Sequence, residues 1–211
     1  MMRLFIAVLV SAVFYLSADA KGFVMKDFFK QMPDSVVPYL TENNRLDLID
    51  FVESGMDSQV ENKLGGVTRL LRLTDNYLKL RLTDASLLEM KLLQYGSGSA
   101  DSLELVACAV MTYGDSIKES TVRFYSSDWA PVRVASPLSY EAISRCGVSD
   151  SLPQGLLRGA LQNVFVEAAL SPDDENMTIT LSYPDYGEVG KEKPSLRKLS
   201  TILKWSGLSF K

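Results

Sequence analysis

The sequence predicts an α+β fold: a single domain, mostly antiparallel β-sheet arranged as a meander, with N-terminal helices and a C-terminal hairpin. Three observations predict it. From Val67 to Val134 apolar residues recur at every second position, in short runs separated by tight polar turns. Before Val67 the apolar spacing changes to three and four residues, the helical period. From Val164 to Leu181 the alternation returns on both sides of Pro172–Asn176.

The N-terminus stands apart from this pattern. Met1-Met2-Arg3 is a short positive start, Leu4–Leu16 is almost wholly apolar, and Ala18 and Ala20 have the small-x-small spacing a signal peptidase accepts. Residues 1–20 therefore read as a secretory signal peptide and 21–211 as the domain. A membrane anchor is the competing reading, but the apolar run is short of the ~20 residues a span needs, and polar sequence follows at once. The expectation is export, with no stable membrane span after cleavage.

The elements follow in order. Val24, Phe28 and Met32 lie four apart, an amphipathic helix that Pro33 ends. In Arg45–Val52, Leu46, Ile49 and Val52 share one helical face and Asp47, Asp50 and Glu53 another, with Gly55 placed to stop the helix; a strand is the competing reading. Strands are expected over 67–73, 77–83 and 87–94. In them Leu71, Leu73, Leu78, Leu80, Leu82, Leu88, Met90 and Leu92 fall on one face. Arg72, Lys79, Arg81, Glu89 and Lys91 fall on the other, the face alternation turns to water. The loop 94–102 is rich in Gly and Ser. Leu103–Tyr113 is apolar without alternation in its middle, as in a strand buried on both faces. Thr121–Tyr125 is a further strand, leading to Trp129. A helical turn is expected within 136–148 and a helix over 152–162. A hairpin joins 164–170 to 177–181, a helical turn lies within 194–200, and a small hairpin closes the chain around Ser206-Gly207.

The chemistry is bounded chiefly by exclusion. There is no histidine, which removes Ser-His-Asp and Cys-His catalysis and every histidine-liganded metal site. No phosphate loop, glycine fingerprint or CxxC pair is present, so no cofactor is expected. Net charge is −4, and removing 1–20 takes away one base (Arg3) and one acid (Asp19) and leaves it there, without the basic face that nucleic acid needs. Cys108 and Cys146 are either a disulfide in an exported chain or two unpaired buried thiols. Asp173, Asp174 and Glu175 lack the spacing and central glycine of a calcium loop and read as a solvated turn. Asn176-Met177-Thr178 is a formal glycosylation sequon. Asp47, Asp50 and Glu53, or Glu89 with Glu104, offer carboxylate pairs with nothing to bring them to one cleft. Ser195 and Lys198 have Ser-x-x-Lys spacing without the accompanying motifs. Trp129, Tyr113, Tyr125, Trp205 and Tyr183 form either an aromatic platform or the edges of the core. The candidate interaction surface is the open sheet face with Arg72, Lys79, Arg81 and Lys91, joined by Trp129.

The segments MPDSVVPYLTENNRLDLIDFVESGM (32–56), LTDNYLKLRLTDASLLEMKLL (73–93), TYGD (112–115), FYSSDWAPV (124–132) and the C-terminal LKWSG together resemble an uncharacterised family of secreted Bacteroidales proteins, domain of unknown function 3256. The resemblance implies a Gram-negative origin, export to the periplasm or cell envelope, and no known activity or site residues to carry over. It makes the Asn176 sequon irrelevant. It also implies O-glycan acceptors of the type Asp-Ser-aliphatic at Ser35, Ser102, Ser116 and Ser151. The expected function is a non-catalytic module that binds an envelope protein or glycan. The alternative is a histidine-independent hydrolase working on glycan or cell wall through carboxylates.

Overall fold

The computed structural model describes residues 23–96, 103–145, 164–185 and 195–211. The expected signal peptide, the helix over 152–162, Cys146, Ser102 and Ser151 lie outside those residues. The elements are α1 (Met25–Lys30), α2 (Glu42–Glu53), β1 (Gln59–Glu61), β2 (Val67–Leu73), β3 (Tyr77–Thr83), β4 (Ser86–Tyr95), β5 (Glu104–Tyr113), β6 (Glu119–Ser126), α3 (Tyr140–Arg145), β7 (Phe165–Leu170), β8 (Asn176–Asp185) and β9 (Ser195–Lys204). The first six strands form one antiparallel meander in chain order, and β7-β8-β9 form a second antiparallel sheet. The fold class is α+β, as the alternation predicts.

The two sheets and the helices make three layers. Leu78, Leu80, Leu82, Leu88, Met90 and Leu92 pack with Met25, Phe28, Phe29, Leu48 and Ile49 of the helices. On the other face Tyr77, Leu93, Val106, Cys108, Val110 and Phe124 pack with Ala168, Leu170, Met177, Ile179 and Leu181 of the second sheet. The strand expected to be buried on both faces, β5, is buried from Val106 through Val110. Cys108 is a free, fully buried thiol.

Local chemistry fixes the helix ends. Thr41 caps α2: its hydroxyl accepts from the Asn44 amide at 3.2 Å, while Asn44 Oδ1 accepts from the Thr41 amide at 3.1 Å. Gly55 closes α2 with φ +67°. The buried stripe of α2 is Arg45, Leu48 and Ile49, whereas Val52 is exposed. Arg45 is buried because Asp34 Oδ1 (2.8 Å) and the Leu40 carbonyl (2.9 Å) accept from its guanidinium.

Two further expectations need correction, and one strand was not foreseen. Leu71 points to water, 44% exposed, because a β-bulge inserts one residue between Leu70 and Arg72 and moves Leu71 off the leucine face. Residues 195–204 form β9 and not a helical turn, since β8 offers a full edge for them to pair with. The small strand β1, pairing with β2, has no periodic signal in the sequence. The closing hairpin is present, with a Trp205–Phe210 bridge.

Candidate functional site

The charged face of the meander is divided between two uses. Over β4 it is covered by the β7–β8 hairpin, and the expectation that Lys91 is exposed is wrong: it is 2% exposed. Its ammonium donates to the carbonyls of Ser171 (3.2 Å) and Pro172 (3.0 Å). It also sits 5.7 Å from the centre of the Tyr77 ring. Burial holds its pKa below the usual lysine value. Glu89, one pleat away, is equally buried. Its carboxylate accepts from the Tyr77 hydroxyl (2.6 Å), the Lys79 ammonium (3.0 Å) and the Leu170 amide (3.2 Å). Arg72 reaches Asp173 at 2.9 Å, and Lys118 reaches Glu167 at 3.2 Å. Much of the basic face therefore recognises the chain's own second sheet. The free edge of β7 is closed in the same way, with Ser120 Oγ accepting from the Ala168 amide at 3.0 Å.

Tyr77 gives this clasp a pH signature. Burial first, and the adjoining Glu89 carboxylate second, push its phenol well above the usual tyrosine value of 10.0. The fold thus favours the protonated phenol, while the unfolded chain releases the proton near 10. That contribution is fully present below pH 10 and is lost as pH rises above it. In a phenolate absorbance titration, one tyrosine is expected to ionise only as the protein unfolds; Tyr77→Phe is expected to remove that delayed step.

Beyond the reach of the second sheet, the charged face is open and forms a groove of about 370 Å³. Lys79 and Arg81 of β3 stand along it. The β3–β4 turn supplies Asp84, and the β5–β6 turn supplies Asp115 with Lys118 just after it. The two turns lie side by side because β4 pairs with β5 from Ser86↔Tyr113 onward, and the Gly114 amide donates to the Ala85 carbonyl at 2.9 Å. Gly114 has φ +105°, and a Cβ there would lie 2.0 Å from the Ile117 carbonyl oxygen, so only glycine makes this turn. Leu71, displaced by the bulge, and Leu87 give the groove its apolar floor. Thr83 and Ser86 join hydroxyls at 2.7 Å on the wall.

The electrostatics of the groove follow from the register. Arg69 lies opposite Arg81, and Arg72 opposite Lys79, two like-charge pairs side by side. Such pairs are unfavourable unless neutralised. Arg69 has Asp57 at 3.0 Å, Arg72 has Asp173 and Lys79 has Glu89. Among the described residues no ion pair is formed by Arg81, Asp84 or Asp115, and all three are exposed. The groove thus presents an unengaged guanidinium and two unengaged carboxylates.

The other sequence candidates do not gather here. Trp129 is buried, with its ring stacked on Phe28 at 4.0 Å, so it is a core residue and not part of an exposed surface. Trp205 stacks near Phe124 on the other side of the sheet, Tyr183 is buried in the second core, and Tyr113 is half exposed. No aromatic platform forms from them. Asp174 accepts from the Asn176 amide at 2.9 Å and Asp173 is held by Arg72, the behaviour of a turn. Among the described residues no group of three or more His, Cys, Asp or Glu could hold a metal ion. Ser35 and Ser116 are exposed. Asp84, Asp115 and Lys118 carried no signal in the sequence, because only strand pairing brings their two turns together.

Among solved structures, the chain is similar to a domain of an uncharacterized protein from Porphyromonas gingivalis W83, with a TM-score of 0.60 and 19% identity over 88% of this chain and 95% of that one. At that identity the likeness is one of fold. No curated protein matches. A family model described as "Protein of unknown function (DUF3256)" matches residues 17–210, and the chain belongs to that family.

Proposed function

We propose that the protein is a non-catalytic binding module of the cell envelope whose groove takes a glycan. The observation that carries this is the lining: exposed acceptors (Asp84, Asp115), exposed and half-exposed donors (Arg81, Lys79) and hydroxyls over an apolar floor. A sugar hydroxyl both donates and accepts, so a wall offering both kinds of partner suits it better than it suits a simple anion or cation. The volume is that of a small-ligand site. Export to the periplasm or envelope belongs to the same proposal, supported by the charge, apolar run and Ala-x-Ala spacing of residues 1–20. Among the described residues no helix is long and apolar enough to cross a membrane.

The rival, a carboxylate hydrolase, draws on one observation, that Asp84 and Asp115 line the same groove. Both are exposed turn residues, without the enclosed setting of a general acid. The test is an NMR titration of the mature chain with a panel of envelope-derived oligosaccharides. Saturable shifts of the Ala85 and Gly114 amides are expected for at least one saccharide. Arg81→Ala and Asp115→Ala should each weaken that binding about ten-fold, the loss of one hydrogen bond to a charged group. A panel in which no saccharide moves those amides would defeat the proposal, and cleavage of a bound saccharide would hand the site to the hydrolase.

A further inference from the structure

A second hollow lies on the opposite side of the meander, at the outer strands. Val36, in the loop after α1, borders this hollow on the helix-side face of β5 and β6, above the buried Leu88 and Ala109. The register explains what is found there. Ala109 lies between Met90 of β4 and Arg123 of β6, and Met111 lies between Leu88 and Thr121. One small side chain among larger ones leaves a hollow, here about 190 Å³. Its floor is Leu88, Ala109 and Met111; Tyr113 and Tyr125 stand beside it, and Thr121 and Arg123 complete the lining. Arg45, Arg69 and Arg72 each hold a carboxylate of this chain, whereas Arg123 forms no ion pair among the described residues. A hollow with an apolar floor, polar sides and one unengaged guanidinium is complementary to a molecule with one apolar end and one negative end.

We propose that this pocket is a binding site, separate from the groove, for a small aromatic or branched aliphatic carboxylic acid. Its apolar body lies over Ala109 and Met111 and its carboxylate meets Arg123. The volume is below the roughly 300–1,000 Å³ of drug-sized ligand sites, so the occupant is fragment-sized. The site does not depend on the glycan reading, because it lies on the other face of the sheet.

The test uses the whole mature chain with labelled alanine and methionine methyl groups, titrated with phenylacetate and with its neutral isostere phenylacetamide. Phenylacetate is expected to shift the Ala109 and Met111 methyls saturably, and phenylacetamide to bind about ten-fold more weakly or not at all. Arg123→Gln, a change at an exposed side chain, should leave the fold intact and erase the difference between the two probes. Ala109→Leu should fill the hollow and abolish binding; should it fail to fold, Arg123→Gln decides the matter alone. Equal binding of acid and amide would overturn the proposal, as would Ala109 and Met111 methyls that do not respond to phenylacetate.

Discussion

Replacing Glu89 with alanine is expected to destabilise the protein by about 3–5 kcal/mol, the range for breaking a buried ion pair from one side. The carboxylate serves three donors from two strands: the Tyr77 hydroxyl and the Lys79 ammonium of β3, and the Leu170 amide of β7. Removing it leaves the phenol and the amide buried without an acceptor, at about 1–3 kcal/mol each. Lys79 is about one-third exposed and regains water, which keeps the total near the lower end. Glu89→Gln keeps an acceptor oxygen for these donors and gives up the charge, so about 1–2 kcal/mol is expected. Urea unfolding measures both. Because the Leu170 amide belongs to the second sheet, Glu89→Ala should also speed hydrogen exchange in β7 before it does so in β3. A loss below about 1 kcal/mol for the alanine variant would mean that apolar packing alone holds the two sheets together.

The same clasp shows where sequence reasoning reached its limit. Alternation placed Glu89 and Lys91 on one face and the leucines on the other, and apart from Leu71 this is so. It could not say what lies over the charged face, because the cover arrives some eighty residues later, with the Leu170–Asp174 turn of the hairpin. Charges on an alternating strand are ordinarily solvated, so nothing local marks these two as buried. The strands of the meander were legible because a period of two and turn residues such as Thr74-Asp75-Asn76 are local signals. The bulge at Leu71 was not, since an inserted residue breaks the period without changing composition. Nor was β9, whose polar sequence forms a strand only because β8 stands beside it. For the groove, Lys79 and Arg81 were legible as members of one strand face. Their partners in it were not, because adjacency of two turns is set by the β4–β5 register.

Trp129→Ala is expected to cost about 3–5 kcal/mol, the range for truncating a large buried aromatic. A surface aromatic would instead affect binding and leave stability nearly unchanged. The indole lies flat on Phe28, with ring centres 4.0 Å apart and planes 14° apart, and meets Tyr125 at 5.1 Å. Its Nε1 donates to the Phe28 carbonyl at 3.1 Å. That carbonyl belongs to the last turn of a six-residue helix, where the Met32 amide goes to Phe29 instead. The tryptophan therefore ties α1 to the far strand of the meander and satisfies an acceptor the helix cannot. It does so from φ +65°, a left-handed backbone that a residue with a side chain adopts at a cost of about 1–2 kcal/mol. Alanine loses the ring and keeps this strain, whereas glycine loses the ring and relieves it. Trp129→Gly should accordingly be no less stable than Trp129→Ala, the reverse of the order at ordinary backbone positions. Trp129→Phe keeps most of the stacking and gives up the hydrogen bond, so it should fall between wild type and alanine. Chemical unfolding followed by circular dichroism gives all three values, and a glycine variant clearly weaker than alanine would rule out the strained geometry.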